Sequence, residues 1–348
     1  MRHIKFIFRT LLVLSIFTFS CSSDDGNGND IPGKDADKTA LEASIETADD
    51  LIENTNEGTS EGDYQVGSKA ELEVTLNLAK TVYENPSATQ SQVDNTVTQL
   101  DDAIEVYKSK IIKPINPEAL VAHWMFDEGQ GDIINDETGN HHGQMKQGAV
   151  ENGAGKVEWV ADRHGEANKA LKFADGANVE VPFSTSLNPQ NITISMWLKA
   201  DEIFDGNYMI SLNRWNGYKF NLQSTNKLMF TARASHEGEN PIYDRDNDSP
   251  ELLVDEWYHA AVTFGDGNMI FYLNGTMVKE WNDTPGIIDN VEEQYNFIIG
   301  QSLPTSVIDA EEEEWGPFNY FKGSMDDIRI YNEILSGTQI NSIYEMEK

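Results

Sequence analysis

Along this chain of 348 residues the spacing of apolar positions changes from helical to strand-like near residue 120. Between residues 38 and 113 they recur every three or four positions in three blocks: Leu41, Ile45, Ala48 and Ile52; Leu72, Leu76, Ala79 and Tyr83; Val93, Val97, Leu100, Ile104, Tyr107 and Ile111. That spacing puts each set on one face of an α-helix. Ser68-x-x-Glu71 and Thr89-x-x-Gln92 predict capping boxes at the second and third helix starts. Such helices cannot bury a face alone, so a three-helix bundle is expected. From residue 120 the pattern becomes short alternating runs (LVAHWMF, ALKF, ITISMWLKA, YKFNLQ, KLMFTAR, WYHAAVTF, MIFYLNG, MDDIRIYN) cut by Gly, Asn, Asp and Pro. These predict an antiparallel sandwich or jelly roll, with a tight hairpin turn at Asn274-Gly275. The fold class expected is thus multidomain, an all-α three-helix bundle followed by an all-β sandwich.

The remaining apolar stretch, Leu11 to Phe19, follows Arg2, Lys5 and Arg9 and precedes Ser20 and Cys21. It is too short to span a bilayer and has the layout of a signal peptide over 1–20. Cys21 is the sole cysteine, so no intrachain disulfide forms. Its position resembles the lipobox of bacterial lipoproteins, in which the thiol is lipidated; Thr18 departs from the usual Leu. An ordinary secretory signal with an incidental cysteine is the alternative. Ser22, Ser23, Asp24 and Asp25 resemble the signals that carry lipoproteins to the outer face of the outer membrane in polysaccharide-harvesting bacteria. Residues 21–37 lack apolar periodicity and read as a flexible tether; Pro114 and Pro117 make 114–119 a stiff hinge. A formal net charge of -34 argues against nucleic acid or an anionic membrane surface as partner, leaving membrane attachment to the lipid.

GDYQVGSKAELEVTL and NPSATQSQVDNTVTQLDDAI resemble FIVAR-type helical modules, which implies a stalk or interaction spacer over 38–113. LVAHWMFDEGQGDIINDETGNHHG, NITISMWLKA, DEWYHAAVTFGDGNMIFYLNGTMV and FKGSMDDIRIYNEILS, in that order, resemble laminin-G-like, concanavalin A-like domains over 120–348. That resemblance implies sugar or protein binding, commonly one calcium ion, and a fold that also hosts hydrolases and lyases.

Several acids are candidates for chemistry. In the closing run, Asp326 shares the parity of Ile328 and Ile330 and should face inward, where a carboxylate must be paired or bind a cation. The resemblance places this strand beside the opening one, near Asp127 and Asp136. A structural calcium ion on Asp127, Asp136 and Asp326 is therefore expected, the alternative being that these acids bond amides and cap turns. Asp244, Asp246, Asp248 and Asp255 match an EF-hand poorly, and residues 235–253 read as a solvated rim loop. His141 and His142 lack a third zinc ligand at suitable spacing. The Glu-x-Asp-x-x-Glu strand of jelly-roll glucanases is missing, Glu311 to Glu314 reads as a loop, and NYFKG at 319–323 is similar to an alginate-lyase word without its partner element.

Recognition is expected on the 214–245 side. Lys219, Asn221 and Gln223 oppose Phe220 and Leu222, giving one amide-rich, cationic face. Trp215, Tyr218, Tyr243, Trp315, Phe318 and Tyr320 are candidate sugar platforms, the alternative being ordinary packing. Arg214, Lys219, Arg233 and Arg245 fit an acidic polysaccharide; local pairing with Asp and Glu is the alternative. The function expected is a non-catalytic glycan-binding lipoprotein of the outer membrane, facing the exterior, that captures polysaccharide for hydrolase and transporter partners. A protein-binding scaffold stands second and a glycan-cleaving enzyme third.

Overall fold

Each amphipathic block of the amino-terminal region finds a partner for its apolar face. In the computed structural model, which describes residues 35–202, 204–310 and 319–348, α1 (Thr39–Asn54), α2 (Ser68–Glu84) and α3 (Gln90–Ser109) enclose Leu41, Ala48, Leu76, Leu100 and Tyr107. The signal peptide, Cys21 and most of the tether lie outside the described residues. Thr89 and Gln92 form the expected capping box on α3. At α2 the expected box does not form, because Ser68 is already the first helical residue. Instead Glu57, on β1 (Glu57–Gly58) beside β2 (Tyr64–Gln65), accepts from the Lys69 amide at 2.7 Å, putting a carboxylate at the positive end of the helix.

The carboxy-terminal region is a jelly roll of two packed antiparallel sheets. One sheet comprises β4 (Ile133–Ile134), β5 (Gly143–Lys146), β8 (Asn178–Val181), β10 (Asn207–Leu212), β11 (Tyr218–Leu222), β12 (Leu228–Ser235), β13 (Ile242–Asp246), β17 (Ile287–Ile288) and β18 (Phe297–Ile299). The other comprises β3 (Leu120–Trp124), β6 (Glu158–Val160), β7 (Ala170–Phe173), β9 (Ile192–Ala200), β14 (Tyr258–Gly265), β15 (Asn268–Leu273), β16 (Thr276–Trp281) and β19 (Gly323–Tyr331). Two short helices complete it, α4 (Thr305–Ile308) and α5 (Gly337–Glu347). Inward residues of both sheets interdigitate: Ile194, Met196 and Val262 meet Phe220, Phe230 and Phe297, and Trp124 stacks on Phe297 at 5.5 Å. Asn274 and Gly275, both with positive φ, make the expected turn between β15 and β16.

The strand β13 corrects the expectation of a solvated loop over 235–253. It pairs with β12 in register, Phe230 opposite Arg245 and Thr231 opposite Asp244. An edge strand with polar residues on both faces carries no apolar alternation, so periodicity does not announce it.

Parity fails at β19 for a different reason. Met325, Ile328 and Ile330 lie in the core, but between Asp326 and Arg329 the register against β9 shifts, and Asp327 has a φ of 48°. This bulge adds one residue to the strand. Asp326, Asp327 and Arg329 therefore all leave the core and turn to the outer face of the sheet, with Asp326 opposite Trp197 and Arg329 between Ser195 and His123.

There the acids are buried beneath α5 rather than hydrated. Arg163 contacts Asp326 at 2.5 Å and Asp327 at 2.9 Å; His123 lies 3.0 Å from Asp327, and Arg329 bridges Asp327 and Glu347. Glu347 also accepts from the Trp197 indole at 2.8 Å, Arg163 stacks on that indole at 4.7 Å, and its Nε donates to the Glu347 carbonyl at 2.7 Å. Trp197 stacks on Tyr344, while Ile340 and Ile343 pack with Ala261, Tyr272 and Tyr331. α5 is not among the elements expected from the sequence. The helix also reaches the amino-terminal unit: Gln339 donates to the Pro114 carbonyl at 3.0 Å and Ser342 to that of Thr59.

Three carboxylates thus face two guanidinium groups. Burial and the neighbouring Asp327 charge push Asp326 up to about 8, and burial pushes Glu347 up to about 7. For Asp327 the hydrogen bond from His123 and the two arginines overcome burial and hold it below the usual range. Because folding favours the proton on Asp326, the corresponding stability is complete in acid and lost as pH rises through about 8. Unfolding free energy from denaturant titrations should fall between about pH 4 and 8, and Asp326→Asn should flatten that slope by up to about 1.4 kcal/mol per pH unit. An unchanged slope would mean that Asp326 carries no proton in the fold.

Candidate functional site

Each of the three acids expected to hold calcium faces other partners. Asp326 faces Arg163, and Asp127 lies 3.2 Å from Lys169 Nζ. Asp136 accepts from the amides of His123 (2.8 Å), Asn140 (3.1 Å) and His141 (2.9 Å) and from Thr138. Burial alone would raise the Asp136 pKa, but these donors hold it below the usual carboxylate range. Its oxygens are occupied by turn amides, and among the described residues no group of three or more His, Cys, Asp or Glu side chains is placed to hold an ion. The seam between β3 and β19 is closed by arginines and amides, which a parity argument blind to the bulge does not foresee. Asp244 and Asp246 lie on β13, and Asp248 pairs with Lys279, so the EF-hand spacing is not a loop. His141 bonds Ser186 at 3.0 Å, and His142 accepts the Asp136 amide.

The other sheet presents a different outer face. Because Phe220, Leu222, Leu228 and Phe230 point inward, register brings Tyr208, Asn221 and Met229 into one outward row and Ser211, Lys219, Thr231 and Asp244 into the next. Between β10 and β11 the chain turns through Asn213 and Arg214, both left-handed at φ 57° and 50°. The Asn213 side chain donates to the Glu293 carbonyl at 3.1 Å, and Ser211 accepts the Arg214 amide at 3.1 Å. This turn carries Trp215, 39% exposed, over Lys219.

A cavity of about 300 Å³ results, lined by Tyr208, Arg214, Trp215, Lys219, Asn221 and Gln223, with Asp205, Asp244 and Asn319 completing its rim. Lys219 Nζ lies 4.1 Å from the Trp215 ring and 5.0 Å from the Tyr208 ring, and donates to Asn221 at 3.1 Å. Burial draws its pKa down to about 8 against the opposing charges of Asp244 and Asp205. Tyr208 is pushed up by burial, with Arg214 and Asn319 opposing. Two cations and two carboxylates line the cavity, so its charge is balanced.

Of the residues expected to bind ligand, Arg214, Trp215, Asn221 and Gln223 meet in this cavity. Tyr218 does not: its ring is fully buried and its hydroxyl donates to the Leu187 carbonyl. Tyr243 and Arg245 point to the inner side of β13, where Tyr243 packs on Phe264 and Arg245 pairs with Asp283 over Trp281. Arg233 shares the outer face but pairs with Asp289 at 3.4 Å. Tyr320 leans on Phe204 at 5.7 Å, while its neighbour Asn319 lines the cavity. Trp315 and Phe318 lie outside the described residues. Tyr208 is revealed only by the register that sets it opposite Asn221, and Asp205 only by the fold of the loop before β10.

The concanavalin A-like lectin/glucanases superfamily model matches residues 173–341, which covers the strands that build this face. A curated relative, the adhesion G-protein coupled receptor V1 of Danio rerio, is 27% identical over 169 residues, 46% of this chain but 2% of the receptor. The chain therefore spans a small fraction of that relative's length. Among solved structures, domain 4 of AbnA, a GH43 extracellular arabinanase from Geobacillus stearothermophilus in complex with arabinotriose, is 20% identical, with a TM-score of 0.45 over 65% of this chain and 98% of that one. The binding domain of botulinum neurotoxin DC in complex with SialylT is 14% identical, with a TM-score of 0.44 over 66% and 52%.

A buried ammonium is costly to keep, so Lys219 should weaken the fold it occupies. Lys219→Met should raise stability at pH 7 by on the order of 1 kcal/mol, measured by denaturant titration. Because the folded-state value is depressed, the gain should vanish as pH approaches the ordinary lysine range. A variant less stable at pH 7 would show that the ammonium's contacts outweigh its desolvation.

Proposed function

We propose that this protein is a non-catalytic, glycan-binding surface lipoprotein whose sandwich captures polysaccharide on the outer face of β10 to β13. The observation that carries the reading is the cavity in which an indole, a phenol, two amides and a lysine converge on an open sheet face. Sugar rings need such a flat apolar platform beside planar hydrogen-bonding groups. The balanced charge favours a neutral glycan, since Arg233 and Arg245 are engaged by Asp289 and Asp283 away from the cavity.

The rest of the chain fits display. Lipidation at Cys21 would anchor it to the outer membrane facing the exterior, and the helical unit would serve as a stalk; among the described residues no helix is long and apolar enough to cross a membrane. Hydrolase and transporter partners would receive the captured polysaccharide.

Affinity electrophoresis in native gels tests this, with arabinan, xylan, laminarin and glucomannan as neutral glycans and pectate and alginate as acidic ones. The full chain should be retarded by at least one neutral glycan without releasing reducing ends, and Trp215→Ala should weaken retardation at least tenfold. Retardation by acidic glycans alone contradicts the charge argument, and released reducing ends would make the protein an enzyme.

A further inference from the structure

Beside the first cavity lies a second of about 260 Å³, lined by Asn213, Asn216, Glu293, Tyr295 and Leu303, and the two share Arg214 and Trp215. Their walls differ in chemistry. The first presents Lys219, Asn221, Gln223 and Asp244; the second sets the Tyr295 ring and Leu303 among amide and carboxylate groups. Each volume sits at or below the lower end of the roughly 300–1,000 Å³ range of pockets that enclose a small molecule. Neither is large enough alone for a sizeable ligand, and Trp215 is the wall between them.

The backbone at this wall is held in an unfavourable conformation. Two consecutive non-glycine residues, Asn213 and Arg214, occupy the left-handed region, which residues other than glycine disfavour. Such geometry persists only where surrounding bonds fix it. Here the Asn213 side chain grips the Glu293 carbonyl, which ties the turn to the far wall of the second cavity. On the near side Ser211 takes the Arg214 amide, and Lys219 supports the indole from beneath. The turn is thus fixed from both cavities at once.

We infer that the two cavities are adjacent subsites of one groove, and that the ligand is a segment of at least two sugar units lying across Trp215. This rests on the glycan-binding reading above. One unit occupies the polar cavity over Lys219 and Asn221, and the next lies against Tyr295. A single sugar fills one cavity and leaves half of the binding surface unused, so the site selects chains over monosaccharides.

The test uses the full chain, the neutral polysaccharide that retards it in native gels, and the mono- to hexasaccharide ladder from acid hydrolysis of that polysaccharide. Asn221→Ala and Tyr295→Ala alter one cavity each, and Asn216→Ala serves as a second variant on the Tyr295 side should the first disturb folding. Circular dichroism and melting temperature report the fold. Each one-sided variant should weaken retardation at least tenfold, and trisaccharide should compete at concentrations at least a hundredfold lower than monosaccharide. If folded variants on the Tyr295 side bind like wild type and monosaccharide competes as well as trisaccharide, the groove is overturned while the glycan reading stands. Retardation untouched by Trp215→Ala and by both one-sided changes overturns the location too, and a wild type retarded by no glycan overturns both readings.

Discussion

Two consecutive carboxylates buried on one strand are the constraint to which much of the sandwich answers. The bulge at Asp327 turns Asp326 and Asp327 to the same outer face, and neither can stay there unpaired. Arg163 from the loop before β7, Arg329 two residues on, and His123 from β3 converge on them. Arg329 in turn holds Glu347 at the end of α5, and the Trp197 indole bonds the same carboxylate. The helix that closes this face is thereby fixed by charge as well as by Ile340 and Ile343. Through Gln339 and Ser342 the same helix contacts the hinge and the amino-terminal unit.

Closing one outer face leaves the other sheet to meet solvent. There Lys219 is the counterpart of the acids: a charge kept nearly buried, but in the wall of an open cavity. Its ammonium lies between two aromatic rings, an arrangement in which cation–π attraction offsets part of the lost hydration. The two faces thus use buried charge differently. Under α5 the acids pair with arginines and lock an element in place; at Trp215 a buried charge supports a surface that a ligand can reach.

Elements dominated by periodicity were readable from the chain: α1 to α3, the inward and outward residues of β11 and β12, and the Asn274-Gly275 turn. The polar face of Lys219 and Asn221 followed from alternation alone. What could not be read depended on register. The bulge at Asp327 reverses parity within β19, so Asp326 leaves the core and pairs with Arg163, while Asp127 pairs with Lys169 and Asp136 accepts from turn amides. β13 is polar on both sides, so its Asp residues resembled a loop, and Tyr243 and Arg245 could not be assigned to its inner side. Tyr218, the first residue of the run YKFNLQ, shares the parity of Phe220 and Leu222 and lies with them in the core rather than at an exposed strand end. The cavity brings Tyr208 and Asn319 beside Asn221, and their wide separation in sequence hides that proximity.

The most direct test of this division between a closed and an open face is amide hydrogen exchange of the full chain with and without a saturating neutral glycan that it retains. The account predicts added protection in β10 to β12 and in the 213–217 and 292–296 segments, with α5 and the outer strands β14 to β16 unchanged. Protection concentrated on α5 or on β14 to β16, with the Trp215 turn exchanging as before, would contradict it.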